Sequence, residues 1–558
     1  MNGKEKNVKK LVILTSIMMV MALPLPAQQQ RRIEIKPVDR DGDGRFSLEE
    51  MCDGVDASVK PAVMETIKKL DRDGDGMITK EEMRSSSRKI MKSGPTSADD
   101  ECSETKNGTC KAIQNPKAKS PSYAILVSSK TYQNEGWKEV ADALVKKHNA
   151  HLLIYDYSVL DAKNELRKLT PRYLAVVTRP EITGRMIVQR LHQLTRSLDD
   201  DLYGDAVWGL ITAATPKRAL EIIRSAQPQK VESSLNLTGV NNELYKEVFT
   251  ISDGKMGDWY WKKRDGTEER GTEGESDRTA LFLKRFIEMK PDLIVSSGHA
   301  TEKNLEMCFS RGNTIAQKGR WYTKPLGGKT ELIPESTHPR VFLGAGNCLI
   351  GNMDRTTNSM ACAMISHYGF NQFVGYTVPT WYGKGGWGTL GLWQSRGGYS
   401  LADAWFFNNQ MMVHELETRF PEASKEVMNV SEDGQGFPME MKQNLDKDAS
   451  GMIWDRDVVA FYGDPLHRII VGSEQVFEAR LKKSSASLIL TIKARQDLKG
   501  GPAVCVWLPE KMTGLHPAQN SINNILVTDD YIIVLKPDCK AGSDLVIKFN
   551  TQPVQVSN

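Results

Sequence analysis

Cysteine is scarce in this chain, with eight in 558 residues. That excludes a small disulfide-stapled scaffold. Two pairs still invite bridging in an oxidising compartment: Cys102 with Cys110, and Cys505 with Cys539, each a possible bridge or two separate thiols. Cys52, Cys308, Cys348 and Cys362 have no obvious partner. An excess of one charge is also missing. The formal net charge is +4, and residues 1–27 supply four Lys against one Glu, which leaves the remainder near neutral. With no long basic stripe, an electrostatic grip on nucleic acid is excluded. No apolar run is long enough to span a bilayer comfortably; Leu11–Leu25 is too short. That run follows Lys4, Lys6, Lys9 and Lys10 and ends in Pro26-Ala27 before Gln28, the pattern of a secretory signal peptide over residues 1–27. An uncleaved anchor is the rival. No cysteine follows the run, so a lipoprotein anchor has no support. The expected location is outside the cytoplasm: periplasmic, cell-surface or extracellular, with no integral span after cleavage.

Behind this segment stand two acidic loops, DRDGDGRFSLEE over 39–50 and DRDGDGMITKEE over 71–82. Calcium is a hard cation that takes six to eight oxygens, so one loop must deliver several to a point. In the first loop Asp39, Asp41 and Asp43 hold positions one, three and five. Gly44 permits the sharp turn, Arg45 offers its carbonyl, Ser47 acts through water, and Glu50 closes with two oxygens. Asp71, Asp73, Asp75, Gly76, Met77, Thr79 and Glu82 repeat the set. Phe46 and Ile78 at position eight are apolar, as a short strand pairing the loops requires. The pattern resembles the EF-hand family, including its bacterial paired forms, and implies two calcium sites. Pro37 leaves little room for a helix before the first loop. Val59, Val63, Ile67 and Leu70 give the segment before the second loop helical spacing.

Further organisation follows from composition. An all-α calcium-loop pair is expected over 31–90, and a Ser-, Lys- and Pro-rich linker over 91–121. From Tyr123 short apolar runs alternate with helical segments: strands at 123–127, 151–155, 173–177 and 207–211, with helices at 136–146 and around Ile187–Leu198. This predicts an α/β fold with a parallel sheet. Residues 226–278 are polar and turn-rich and read as an excursion or subdomain junction. The pattern resumes with a helix over 279–289, strands at 293–296, 341–343 and 373–376, a helix over 360–367 and another over 401–416. The expected boundaries are an N-terminal α/β subdomain over 122–278 and a second over 279–470. Six short strands after Gly463-Asp464-Pro465 predict a β-sandwich over 471–558.

Two apolar strands deliver a reactive residue just past their carboxyl ends. PDLIVSSGHA leads to His299, and RVFLGAGNCL leads to Cys348. In a parallel sheet, functional groups gather beyond the carboxyl ends of strands, and a thiolate nucleophile needs an imidazole or similar partner. Glycines 298, 344, 346 and 351 permit tight turns, and backbone N–H groups near Cys348 and Ala300 would suit an oxyanion. The alternative for a lone Cys after a strand is a buried small hydrophobe.

Strand-His, followed about fifty residues later by strand-Gly-Asn-Cys, resembles the caspase-like cysteine peptidase clan. Within it the chain is similar to the gingipain family across roughly residues 122–555, including the Gly463-Asp464-Pro465 turn. The resemblance implies a caspase-like α/β core in two subdomains followed by an immunoglobulin-like β-sandwich. It implies a cysteine endopeptidase acting on protein or peptide substrates, with Cys348 as nucleophile and His299 as its partner. Where the clan has His followed by Gly, this chain has His299-Ala300, and Ala resists positive φ. The alternative is a catalytically inactive caspase-like core serving as a calcium-dependent surface or adhesion module; a non-peptidase hydrolase is a third reading.

Asp354 and the stretch Trp381-Tyr382-Gly383-Lys384-Gly385-Gly386-Trp387-Gly388 follow the nucleophile and either line a cleft or form a packed turn. His148 and His151 read as surface residues, His192 as the polar side of a helix, and Cys362 and His367 as core. Asp199-Asp200-Asp201 with Asp205 reads most simply as a solvated loop, with a third calcium site as the alternative.

Overall fold

The computed structural model describes residues 108–118, 122–224, 229–272, 277–427, 445–472, 474–484, 487–518 and 524–551, together with short strands at 19–21, 33–35, 45–47 and 77–79. The chain divides into two compact units, Met1–Ser97 and Ala98–Asn558.

In the first unit Arg45–Ser47 pairs antiparallel with Met77–Thr79, and Phe46 lies opposite Ile78. These are positions seven to nine of each acidic loop, so the expected strand between the loops is formed. The segment 55–70, expected to be helical, lies outside the described residues. Within the expected signal segment, Met19–Met21 pairs antiparallel with Ile33–Ile35.

The second unit is built on a sheet of thirteen strands. From one edge the order is Glu268–Thr272, Asp258–Lys262, Glu247–Ile251, Ser233–Leu237, Leu293–Ser296, Arg340–Gly344, Phe370–Tyr376, Val459–Tyr462, Val207–Ile211, Tyr173–Val177, Tyr123–Ser128, His151–Tyr155 and Cys110–Ile113. The inner strands are apolar runs buried on both faces, as in YAILVS and RVFLG, which is what helices on both sides of a parallel sheet demand. Capping side chains start the helices. Asn134 accepts from the Trp137 N–H ahead of Glu135–His148. Ser400 and Asp403 form a reciprocal capping box ahead of Leu401–Arg419.

Val459–Tyr462 joins the two halves of the sheet. It runs antiparallel to Phe370–Tyr376 and parallel to Val207–Ile211 through Tyr462 and Leu210. The Gly463 N–H extends this seam to the Leu210 carbonyl at 2.9 Å.

The segment 226–278, expected to be an excursion or subdomain junction, instead holds four strands that widen the second half of the sheet from Ser233 onward, and a short strand Gln229–Val231 that pairs with Ile469–Val471. The run SSLNL at Ser233–Leu237 is fully buried. Its polar side chains are satisfied laterally: Ser234 Oγ donates to Asn236 Oδ1 at 2.6 Å, and Ser233 Oγ donates to Asp292 Oδ2 at 3.0 Å. The linker also ends early, because Cys110–Ile113 forms the far edge strand against His151–Tyr155.

The C-terminal region forms two sheets. One holds Phe477–Lys483, Ser487–Ala494, Asp544–Thr551 and Leu515–Pro517; the other holds Val504–Trp507, Tyr531–Val534 and Ile525–Val527. It is keyed to the helix Leu401–Arg419 by Trp507, which packs on Phe406 and Phe407 at 5.2 and 4.8 Å and donates to Asp403 at 3.2 Å. The possible Cys505–Cys539 bridge is not formed. Cys505 and Cys539 are free thiols; Tyr399 Oη accepts from the Cys505 N–H at 2.8 Å, and Cys539 Sγ turns to the Ser543 carbonyl at 3.3 Å. Cys110 is likewise a free thiol, and Cys102 lies outside the described residues.

Candidate active site

Leu293–Ser296 and Arg340–Gly344 are adjacent and parallel, with Ser296 opposite Gly344. Their carboxyl ends therefore open onto the same edge. His299 follows the first strand by three residues and Cys348 follows the second by four. The loops are tied together: Ala345 N–H donates to the Ser296 carbonyl at 2.8 Å, and Asn347 Nδ2 donates to the Gly298 carbonyl at 3.1 Å. A Cβ at Gly346 would stand 2.5 Å from Ser297 Oγ, so a larger residue there would make the Ser297 side chain turn away.

His299 is exposed. Its loop turns at Gly298, where φ is +141°, and closes with Glu306 N–H on the His299 carbonyl at 3.0 Å. Among the described residues Ala300 is outside the positive-φ set, so the backbone freedom is used one residue before the histidine. Cys348 is half-buried, and Leu349 directly after it has φ +59°. A branched non-glycine side chain held there is strained, a condition that gathers at functional sites. The thiol sits against Thr380: Thr380 N–H lies 3.3 Å from Sγ, and Sγ lies 3.5 Å from the Thr380 carbonyl. Among the described residues no hydrogen bond joins Cys348 to His299. Trp454 Nε1 anchors the Thr380 segment by donating to the Pro379 carbonyl at 2.8 Å.

The start of the helix Lys384–Trp393 lies against the turn that leads to Cys348. A Cβ on Gly386 would stand 2.2 Å from the Ala345 carbonyl, so the helix is wedged against the Cys348 turn. Asp455 holds it there, accepting from Gly385 N–H at 2.8 Å and Tyr376 Oη at 3.0 Å. Burial pushes the Asp455 carboxyl up to about 6, with these hydrogen bonds opposing the shift. Sequence reasoning missed Asp455. Of the aromatic stretch, Trp381 and Trp387 are 45% and 40% exposed, which favours the cleft reading over packed indoles. Asp354 is half-buried with φ +51°.

The same edge carries a cavity of about 390 Å³ beside Ser233–Leu237 and Glu247–Ile251, with Gly239, Asp253, Asp258, Trp259, Tyr260 and Arg270 among its walls. It belongs to the segment expected to be an excursion, which is why the sequence did not announce it.

Two of the other histidines, His148 and His192, depart from expectation. The His148 side chain is only 8% exposed, stacked on Tyr123 at 4.2 Å and bonded to Asp464 at 2.8 Å. His192 is buried between Trp208 and Trp405 and donates to the Val459 carbonyl at 3.1 Å. The helix bearing it is covered on two sides, so it has no polar face at that position. Cys362 is buried as expected, and His367, half-buried, meets Arg320 at 2.6 Å.

Residues 63–85 match the EF-hand family model. Calcium binding is thereby supported for this segment, and the Phe46–Ile78 strand register is the one a calcium-loop pair uses. Of the expected ligands, Arg45 and Met77 lie in the paired strands; Asp39, Asp41, Asp43, Glu50, Asp71, Asp73, Asp75 and Glu82 lie outside the described residues. No curated protein matches the chain. A solved structure described as "Structure of Protease" aligns with 78% of this chain and 98% of its own, at 8% identity and a TM-score of 0.37. Among the described residues no helix is long and apolar enough to cross a membrane.

Proposed function

We propose that the chain is an exported, calcium-binding cysteine endopeptidase of gingipain-like build. The observation that carries this reading is the tie between two parallel strand ends: Ser296 opposite Gly344, with Asn347 bridging to Gly298, so that His299 and Cys348 emerge from joined loops. Cys348 attacks the peptide carbonyl carbon as its thiolate, forming a tetrahedral oxyanion near backbone N–H groups of the same turn. His299 delivers a proton to the leaving amine, and water then releases the acyl group from sulfur. Because the thiol rests against Thr380 and is not bonded to His299, the histidine acts mainly as an acid.

Calcium would be held by Asp39, Asp41, Asp43, the Arg45 carbonyl and Glu50, and by Asp71, Asp73, Asp75, the Met77 carbonyl and Glu82. The ion supplies charge neutralisation that stabilises the folded loops.

The second reading, an inactive surface or adhesion module, is favoured by His299-Ala300 and by the thiol's engagement with Thr380. Labelling separates the two. A panel of acyloxymethyl-ketone probes at pH 6, on wild type and Cys348→Ala, is expected to modify Cys348 in wild type alone, and the best probe reports the preferred residue. An unlabelled wild type, with and without calcium, would establish the inactive reading.

A further inference from the structure

Asn347 directly precedes Cys348 and is fully buried. The two ends of its amide are treated unequally. Nδ2 donates to the Gly298 carbonyl at 3.1 Å. Oδ1 is buried with no hydrogen-bond partner, a state that costs about 1–3 kcal/mol. An apolar side chain of similar volume would avoid that cost. Packing alone therefore does not call for an amide here; the bond to Gly298 does.

That bond falls on the freest point of the histidine loop. Gly298 turns at φ +141°, and a Cβ built on it would meet nothing within 4 Å. Glycine has the widest backbone freedom of any residue, and no neighbour crowds this one. The peptide joining Gly298 to His299 is planar. Holding its oxygen at Asn347 therefore also sets the direction of the His299 N–H and of the bond into its Cα. The next peptide is held as well, because Glu306 N–H donates to the His299 carbonyl at 3.0 Å and Ala300 bridges to Leu305. Among the described residues the His299 imidazole itself makes no hydrogen bond. Its place beside Cys348 is set through its backbone, and Asn347 holds the side of that backbone nearest the thiol's turn.

We infer that Asn347 is a positioning residue for His299: it holds the imidazole where it can protonate the amine leaving a substrate attached to Cys348. The inference rests on the peptidase reading above. In the step concerned the C–N bond of the tetrahedral adduct breaks. Its electron pair and one imidazolium proton form the new amine N–H, the acyl group stays on sulfur, and the imidazole is left neutral. Asn347 touches none of the reacting atoms.

The test exploits the leaving group. An amine cannot leave without a proton, whereas a thiolate can. A panel of peptidyl aminomethylcoumarin amides, varied at the residue before the cut, first identifies the peptide that the full-length wild type cleaves fastest. The benzyl thioester of the same peptide is then made. Asn347→Leu and Asn347→Asp both remove the donor at similar volume. In each, kcat/KM for the amide is expected to fall on the order of a hundredfold, the scale of a lost general acid. Thioester turnover should stay within about threefold of wild type, which also shows that the fold and the nucleophile are intact. His299→Ala should give the same split. The inference is overturned if amide and thioester turnover fall together in both variants, since Asn347 would then support Cys348 or the fold at large. Amide turnover that stays within about threefold of wild type also overturns it. A wild type that cleaves neither substrate refutes the peptidase reading itself, and the inference with it.

Discussion

Asp464→Asn should destabilise the second unit by about 3 kcal/mol at neutral pH. Asp464 is 2% exposed and stands where the large sheet hands over to the C-terminal strands. Its Oδ1 accepts from Tyr123 Oη at 2.9 Å and Leu466 N–H at 3.1 Å. Its Oδ2 meets Lys147 Nζ at 3.0 Å and His148 Nε2 at 2.8 Å. Asn retains the Oδ1 acceptor but sets an amide N–H₂ against the ammonium. Breaking a buried pair by removing one charge costs about 3–5 kcal/mol. The lower end applies because Lys147 is 28% exposed and also donates to the Ile223 carbonyl at 2.6 Å.

The pH dependence supplies a second check. Hydrogen bonding and charge from His148, followed by Lys147, hold the Asp464 carboxyl well below the usual carboxylate range against the opposing effect of burial. A depressed folded-state pKa contributes stability that is present above the unfolded carboxylate pKa of about 4 and is lost as pH falls below it. Urea unfolding of wild type and Asp464→Asn, followed by tryptophan fluorescence, should therefore show a constant gap from pH 7 to 5 that closes towards pH 2. A gap under about 1 kcal/mol at pH 7, or one that persists undiminished at pH 2, would refute the assignment of Asp464 as a buried charged anchor.

Burial lowers the His192 pKa to about 4, whereas the unfolded chain protonates near 6.5. Folding should thus lose about 3 kcal/mol as pH falls between these values, and His192→Gln should flatten that slope in thermal melts. Gly386→Ala, which drives a methyl into the Ala345 carbonyl, should displace the Cys348 turn and reduce probe labelling at Cys348 by at least tenfold, with thermal melting reporting the accompanying destabilisation. Chelation of calcium should speed amide exchange across residues 31–90, since an ion present at a hundred times its Kd contributes about 2.7 kcal/mol; unchanged exchange would count against loop binding there.

Much of the second unit was legible because its strands are short apolar runs with buried faces on both sides, and the strands at 151–155, 173–177, 207–211 and 293–296 fall where periodicity puts them. The strand Ser233–Leu237 was illegible for a chemical reason. Its Ser and Asn side chains look solvent-loving until Asp292 and neighbouring side chains satisfy them, a lateral arrangement that hydropathy cannot register. His148 was misjudged for a related reason: its partner Asp464 is far along the chain, and only the folded sheet brings them together.

The candidate site divides along the same line. Strand-end positions are a local property, so His299 and Cys348 were visible from apolar runs ending in glycine-rich turns. The supports are nonlocal. Trp454 pins the Thr380 segment, Asp455 pins the helix Lys384–Trp393, and that helix blocks the Cys348 turn from sliding towards it. A candidate thiol at a strand end is therefore readable in nine letters such as VFLGAGNCL, while the contacts that hold its turn in place are encoded some hundred residues later. This separation makes Asp455→Asn informative. It preserves volume and one acceptor while altering the hold on Gly385 and Tyr376. If the hold positions Cys348, the rate of probe labelling should fall at temperatures where thermal melting shows the second unit still folded; equal labelling rates would confine Asp455 to local packing.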